Sequence, residues 1–164
     1  MLSELNLEKP ARSVLRYLFS EYKKGPAVLY PINEICKKFD VDPVVLSNYL
    51  LENSLIRECW TYSNNTVACR ITIKGIETID PAYVRDRLDR IIGGLADAGQ
   101  SRALLEILEY NLKDFPIALD LVNQLESLGL VKINNVNHVI TVELTADGLK
   151  HNDKGKGGLF ALTA

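Results

Sequence analysis

A six-residue pattern occurs twice in this chain, and its recurrence limits the possible folds more than any other feature. Ile71-Thr72-Ile73-Lys74-Gly75-Ile76 aligns with Leu144-Thr145-Ala146-Asp147-Gly148-Leu149. Ahead of each lies a second matching stretch: Leu50 to Ile56 aligns with Leu125-Glu126-Ser127-Leu128-Gly129-Leu130-Val131. Two matches in the same order point to an internal duplication. A chain of 164 residues has room for two small domains. The predicted fold class is therefore α+β, mostly α, with paired domains joined by an amphipathic helix.

In the first half, Pro10 suits the first turn of a helix, where a missing N–H costs nothing. Val14, Leu15, Leu18, Phe19 and Tyr22 follow at helical spacing, and Gly25-Pro26 ends the run. Pro31 opens a second helix with Ile32, Ile35, Cys36 and Phe39 on one face. Asp40-Val41 turns the chain. Asp42 then caps a third helix, Pro43 takes its first position, and Leu46 and Leu50 point inward until about Asn53. A hairpin comes next. A two-residue turn at Asn64-Asn65 pairs Tyr62 with Val67, Trp60 with Cys69 and Glu58 with Ile71. This register sends Trp60, Tyr62, Val67, Cys69 and Ile71 to the core face and Arg57, Cys59, Thr61, Ala68, Arg70 and Thr72 to the other. It parts Cys59 from Cys69 and so argues against a disulfide between them. A further helix begins at Thr72 and is interrupted at Asp80-Pro81.

From Pro81 to Leu95 an amphipathic helix aligns Val84, Leu88, Ile91 and Leu95, with Gly93-Gly94 and Gly99 weakening its end. Arg102 to Leu112 reads as a helix on Leu104, Leu105, Leu108 and Leu112. Asp114 caps the next, whose buried side is Leu121, Val122, Leu125 and Leu128 and whose stop is Gly129. Leu130–Ile133 and Val139–Leu144 are predicted strands around a loop at residues 134–138. No room is left for a separate middle helix, so the second copy is a truncated one. The expected division is residues 1–80, a connecting helix and hinge at 81–100, a second domain at 101–152, and a loose tail from Asp153, where Lys154-Gly155-Lys156-Gly157-Gly158 lies.

Bulk properties exclude several function classes. The formal net charge is −2, whereas phosphate neutralisation usually makes a nucleic-acid-binding domain basic. The cations that exist favour the first half: thirteen Lys and Arg against twelve Asp and Glu up to Arg90, then six against nine. Cys36, Cys59 and Cys69 form no Cys-x-x-Cys pair, and His138 and His151 are distant, so metal-ligand spacing is absent. Free thiols, no apolar run of about 20 residues and an acidic N-terminus point to a cytoplasmic protein without a membrane span or secretory signal. No phosphate-binding loop, zinc-protease or nucleophile-elbow motif occurs, so no catalytic, cofactor or metal residue is assigned and the chain reads as a non-enzyme.

Taken together, the order of helices and hairpin resembles the winged-helix superfamily, in which a helix-turn-helix carries a β-hairpin wing. The first copy looks like MarR- and PadR-type regulators. The carrying residues are Ile35-Cys36-Lys37-Lys38-Phe39, Leu46-Ser47-Asn48-Tyr49-Leu50, Ser54-Leu55-Ile56 entering the wing, and Ile71-Thr72-Ile73-Lys74-Gly75 leaving it. The Gly usual before the first wing strand is Ser54 here, and the second copy keeps Leu128-Gly129-Leu130-Val131 but not the turn. The resemblance implies a third helix for the major groove, with Val44, Val45, Ser47, Asn48 and Leu51 outward, Asn48 suited to an adenine edge. Lys37, Lys38, Arg70 and the tip residues Asn64 and Asn65 would hold phosphates. It thus implies a DNA-binding regulator, a homodimer through residues 81–130, the second domain serving dimerisation or effector sensing. Against this, neither copy of the third helix carries Lys or Arg, and Arg to guanine is the commonest specific base contact. The alternative is a tandem winged-helix scaffold that docks proteins through Val44, Val45 and Leu51.

Overall fold

A computed structural model of the chain describes residues 4–25, 28–99, 101–103 and 115–163. Among these residues the protein is α+β and mostly helical, with seven helices and two three-stranded antiparallel sheets. It divides into two compact units, Met1–Tyr83 and Val84–Ala164.

The first unit runs α1 (Glu4–Lys24), β1 (Tyr30–Pro31), α2 (Asn33–Lys38), α3 (Pro43–Glu52), β2 (Ile56–Thr61), β3 (Val67–Ile71) and α4 (Ile73–Ile79). Its core is built by Val14, Leu15 and Leu18 of α1 with Ile32, Cys36, Leu46, Leu50, Cys69 and Ile76. Two prolines sit elsewhere than expected. Pro10 lies inside α1, which begins at Glu4. Pro31 opens no helix; it pairs with Ala68 in β1, at the edge of the sheet β1-β3-β2. An edge tolerates Pro because one side of the strand needs no N–H. Asp42 caps α3 as read, its carboxylate accepting from the Val44 N–H at 2.8 Å.

The hairpin register differs from the expected one. The Tyr62 N–H donates to the Thr66 carbonyl (2.8 Å) and the Asn65 N–H to the Tyr62 carbonyl (2.9 Å), with Asn65 at φ 64°. The turn is therefore Ser63-Asn64-Asn65, a three-residue loop ending in a left-handed residue. Thr61 pairs with Val67 and Trp60 with Ala68, but Arg57 with Arg70 and Ile56 with Ile71. Between them lies a β-bulge, where Glu58 takes φ 50°. The extra residue reverses side-chain alternation along β2. Trp60 is consequently 60% exposed, and Tyr62 is exposed too, rather than in the core.

The second unit holds most of α5 (Pro81–Asp97), then β4 (Ser101–Ala103), α6 (Phe115–Ser127), β5 (Val131–Val136), β6 (Val139–Leu144) and α7 (Ala146–Thr163). Its sheet order is β4-β6-β5, matching the first sheet strand for strand. Arg102 and Ala103, expected to open a helix, pair with β6 instead, as does Ser101 before them; the remainder of that expected helix and the Asp114 cap lie outside the described residues. Gly93 and Gly94 sit within α5 rather than ending it, and the segment from Asp153 belongs to α7 instead of a loose tail. The loop between β5 and β6 is only Asn137-His138, both at positive φ (52° and 65°), the conformation of a type I′ hairpin turn. Leu128, expected in the core, is exposed.

The repeated sequence pattern builds the same bonded clamp twice. The Thr72 hydroxyl donates to the Ser54 carbonyl (2.7 Å) and accepts from the Gly75 N–H (3.0 Å), while the Thr72 N–H donates to the Leu55 carbonyl (3.1 Å). The Thr145 hydroxyl donates to the Gly129 carbonyl (2.7 Å) and accepts from the Gly148 N–H (3.0 Å), while the Thr145 N–H donates to the Leu130 carbonyl (3.1 Å). One threonine thus caps the helix after the hairpin and fastens it to the turn before the hairpin. That turn is also shared: the Leu55 N–H returns to Leu50 (2.9 Å) and the Leu130 N–H to Leu125 (3.0 Å), closing a helix C-terminus around a left-handed residue. The left-handed residue is Gly129 at φ 76° and Ser54 at φ 58°. Serine there carries a strain of about 1 kcal/mol that glycine avoids.

Candidate functional site

Helix α3 packs on β2 and β3 with Leu46 and Leu50 inward. Its opposite side presents Val44, Val45 and Leu51, 40–45% exposed, together with exposed Asn48 and Glu52. No lysine or arginine lies on α3. Ser47, expected outward, is only 3% exposed. It follows Leu46 by one position and precedes Leu50 by three, which turns it toward the sheet; its hydroxyl donates to the Val44 carbonyl at 2.9 Å. Ser47 is therefore a satisfied core residue, unable to reach a base or phosphate.

The cations expected to hold phosphates separate into two kinds. Lys37 and Lys38 are exposed in the last turn of α2. Arg70 is largely covered, and its guanidinium lies 3.3 Å from the Glu58 carboxylate. The bulge explains this, because it brings Glu58 to the outer face where Arg57 and Arg70 lie. Arg70 is thus held in an ion pair within the sheet. Asn64 and Asn65 are exposed at the hairpin tip, where the Asn64 side chain accepts from the Thr66 N–H (3.2 Å).

A residue that sequence reasoning passed over positions this tip. Asn33, the first residue of α2, donates from its amide to the Asn65 carbonyl (3.0 Å) and accepts from the Val67 N–H (2.8 Å). It fixes the hairpin turn to the helix pair across more than thirty residues of chain. Asn at a helix start would ordinarily be read as a cap. Asn33→Ala leaves the Val67 N–H without its acceptor. The expected outcome is about 1–2 kcal/mol of lost stability and faster hydrogen exchange at the Val67 amide, with exchange inside α1 unchanged beyond that global loss.

In the second unit, α6 likewise exposes no basic residue: Asn123, Glu126 and Ser127 are its exposed polar positions. Glu126 accepts from the Ile133 N–H at 2.7 Å, covering one outward N–H of the edge strand β5. Val136 and Val139, cross-strand partners beside the tight turn, are exposed. Among the described residues no group of His, Cys, Asp and Glu could hold a metal ion, and no helix is long and apolar enough to cross a membrane.

The cysteines are free thiols, Cys36 and Cys69 buried and Cys59 partly exposed. Burial, with the Asp42 carboxylate second, pushes Cys36 up to about 11; burial, then Cys59 and Cys36, pushes Cys69 up to about 12. Both folded values lie above the ordinary 9.0. The folded state then retains protons that the unfolded state releases, so this stabilisation is complete below pH 9 and lost as pH climbs toward 11–12. The expected result is a urea midpoint that falls above pH 9, with a shallower fall in Cys69→Ala. A thiol reagent applied to the native chain should label Cys59 first.

No protein-family model matches the chain, and no curated protein matches it.

Proposed function

We propose that the chain is a tandem winged-helix module that docks a protein partner on the exposed side of α3, without reading DNA. The single observation that carries this reading is the make-up of that side. Where a groove-reading helix presents Arg, Lys or a row of amides, α3 presents Val44, Val45 and Leu51 around Asn48 and Glu52. Apolar side chains on an otherwise polar helix face fit protein contact. The net charge of −2 supports the same choice. The shared clamp and strand order support reading both units as copies of one winged-helix plan.

A second reading, a homodimeric DNA-binding regulator, draws on exposed Lys37, Lys38 and Asn48. The two are separated by one pair of measurements. Fluorescence anisotropy with mixed-sequence duplexes at low salt should show binding no tighter than non-specific association, about 10⁻⁴–10⁻⁶ M. Co-purification from the source cell should yield a partner that wild type retains and Leu51→Asp loses, with an affinity drop of about 30-fold or more. Tight, salt-steep duplex binding abolished by Lys37→Ala with Lys38→Ala would overturn the docking reading in favour of the regulator.

A further inference from the structure

We propose that Cys59 and Cys69 are a redox-sensitive pair that closes a disulfide across the β2–β3 bulge on exposure to a peroxide. This rests on the hairpin alone and is independent of the docking reading. Ile56 and Ile71 pair on the buried face, and Arg57 and Arg70 on the outer face. The next residue of β3, Cys69, returns to the buried face and is fully covered. Opposite it β2 supplies two residues instead of one, Glu58 and Cys59, because of the bulge. The left-handed turn at Glu58 directs that side chain outward to Arg70, 3.3 Å away. Cys59 is left as the β2 residue facing Cys69. Cys59 and Cys69 lie inside the bulge, between the regular pairs Arg57–Arg70 and Trp60–Ala68. Regular antiparallel pairs have Cα atoms about 4.5–5.5 Å apart, and a disulfide spans about 4.4–6.8 Å, so a small displacement at the bulge keeps the two within reach. The electrostatic influence of Cys59 on Cys69, second only to burial, is a further sign that the two thiols are neighbours.

Accessibility sets the order of events. Cys59 is partly exposed and Cys69 is not, so the oxidant meets Cys59. Its thiolate attacks one peroxide oxygen and the O–O bond breaks, giving a sulfenic acid and hydroxide. The Cys69 sulfur then attacks the Cys59 sulfur. The S–OH bond breaks, the hydroxyl leaves as water with the Cys69 proton, and the S–S bond forms. The two thiols lose two electrons in all and the peroxide gains them. One of its oxygens ends as water, and the other leaves as hydroxide and becomes water on taking up the proton that Cys59 released to form its thiolate. The bond would fasten β2 beside exposed Trp60, the only tryptophan in the chain.

The test treats the folded 164-residue chain with hydrogen peroxide and counts thiols after unfolding. Two of three should be lost, the chain should stay monomeric on a non-reducing gel, and peptide mapping should join Cys59 to Cys69. Trp60 fluorescence should fall with the same time course and recover with a reductant. Cys36→Ser should behave as wild type, and Cys59→Ser, at a partly exposed position that leaves folding intact, should keep both remaining thiols. Retention of all three thiols, a link through Cys36, or Cys59 passing to sulfinic acid or an intermolecular dimer would each overturn the pairing.

Discussion

Gly75→Ala and Gly148→Ala are each expected to cost about 2–4 kcal/mol, although alanine is ordinarily the better helix residue by about 1 kcal/mol. A Cβ on Gly75 would fall inside the contact distance of the Leu55 carbonyl oxygen and 2.7 Å from Ile71 Cγ1. A Cβ on Gly148 would meet the Leu130 carbonyl oxygen and lie 2.7 Å from Leu144 Cδ1. In both units the obstructing atom is backbone, and it is the acceptor for the clamp threonine's N–H. Relief by movement therefore breaks that bond, adding about 1 kcal/mol to an overpacking cost of about 1–3 kcal/mol. Gly94→Ala is the control: among the described residues nothing lies within 4 Å of a Cβ added there inside α5, so it should stabilise by about 0.5–1 kcal/mol. Urea unfolding followed by circular dichroism measures all three, and Trp60 fluorescence follows Gly75→Ala separately. A Gly75→Ala chain as stable as wild type would mean that the helix after the hairpin does not approach the preceding turn so closely.

That a Thr-x-x-Gly pattern could be found in the sequence at all follows from the local nature of its demands. The threonine must cap the next helix, and the glycine must pass a carbonyl, whatever surrounds them; both copies keep those two residues while Ile73 and Lys74 become Ala146 and Asp147. The exposure of Val44, Val45, Asn48 and Leu51 was legible for the same reason, since helical spacing alone sets it once Leu46 and Leu50 are inward. Features that depend on distant partners were not legible. The bulge arises from a left-handed Glu58, a conformation that no side-chain pattern announces, and its extra residue moved Trp60 outward and Cys59 toward Cys69. The short edge strands Tyr30–Pro31 and Ser101–Ala103 carry no alternation that could mark them, and their existence rests on β3 and β6. Asn33 had a plausible local role, yet its partners are Asn65 and Val67. Ser47 was misplaced because the stretch around it mixes apolar and polar residues, leaving the edge of the buried arc undefined; packing on the sheet decides it.

Thr72→Val and Thr145→Val separate the two copies of the clamp by environment. Valine keeps the shape of threonine but neither donates nor accepts. In the first unit Thr72 and Gly75 are buried, so the Gly75 N–H is stranded and the Ser54 carbonyl loses its donor. A lost cap together with a buried orphan donor is expected to cost about 2–3 kcal/mol. In the second unit Thr145 is only partly buried and its bond to the Gly129 carbonyl is exposed, so water can replace much of what is removed. The cost there should be nearer 1 kcal/mol. Serine at either position retains the hydroxyl and should recover most of the loss, which distinguishes bonding from packing. Urea midpoints for the four variants decide the matter. If valine at 72 and at 145 cost the same, water access is not what sets the strength of the clamp, and its value lies in the backbone bonds to Leu55 and Leu130 that both variants retain.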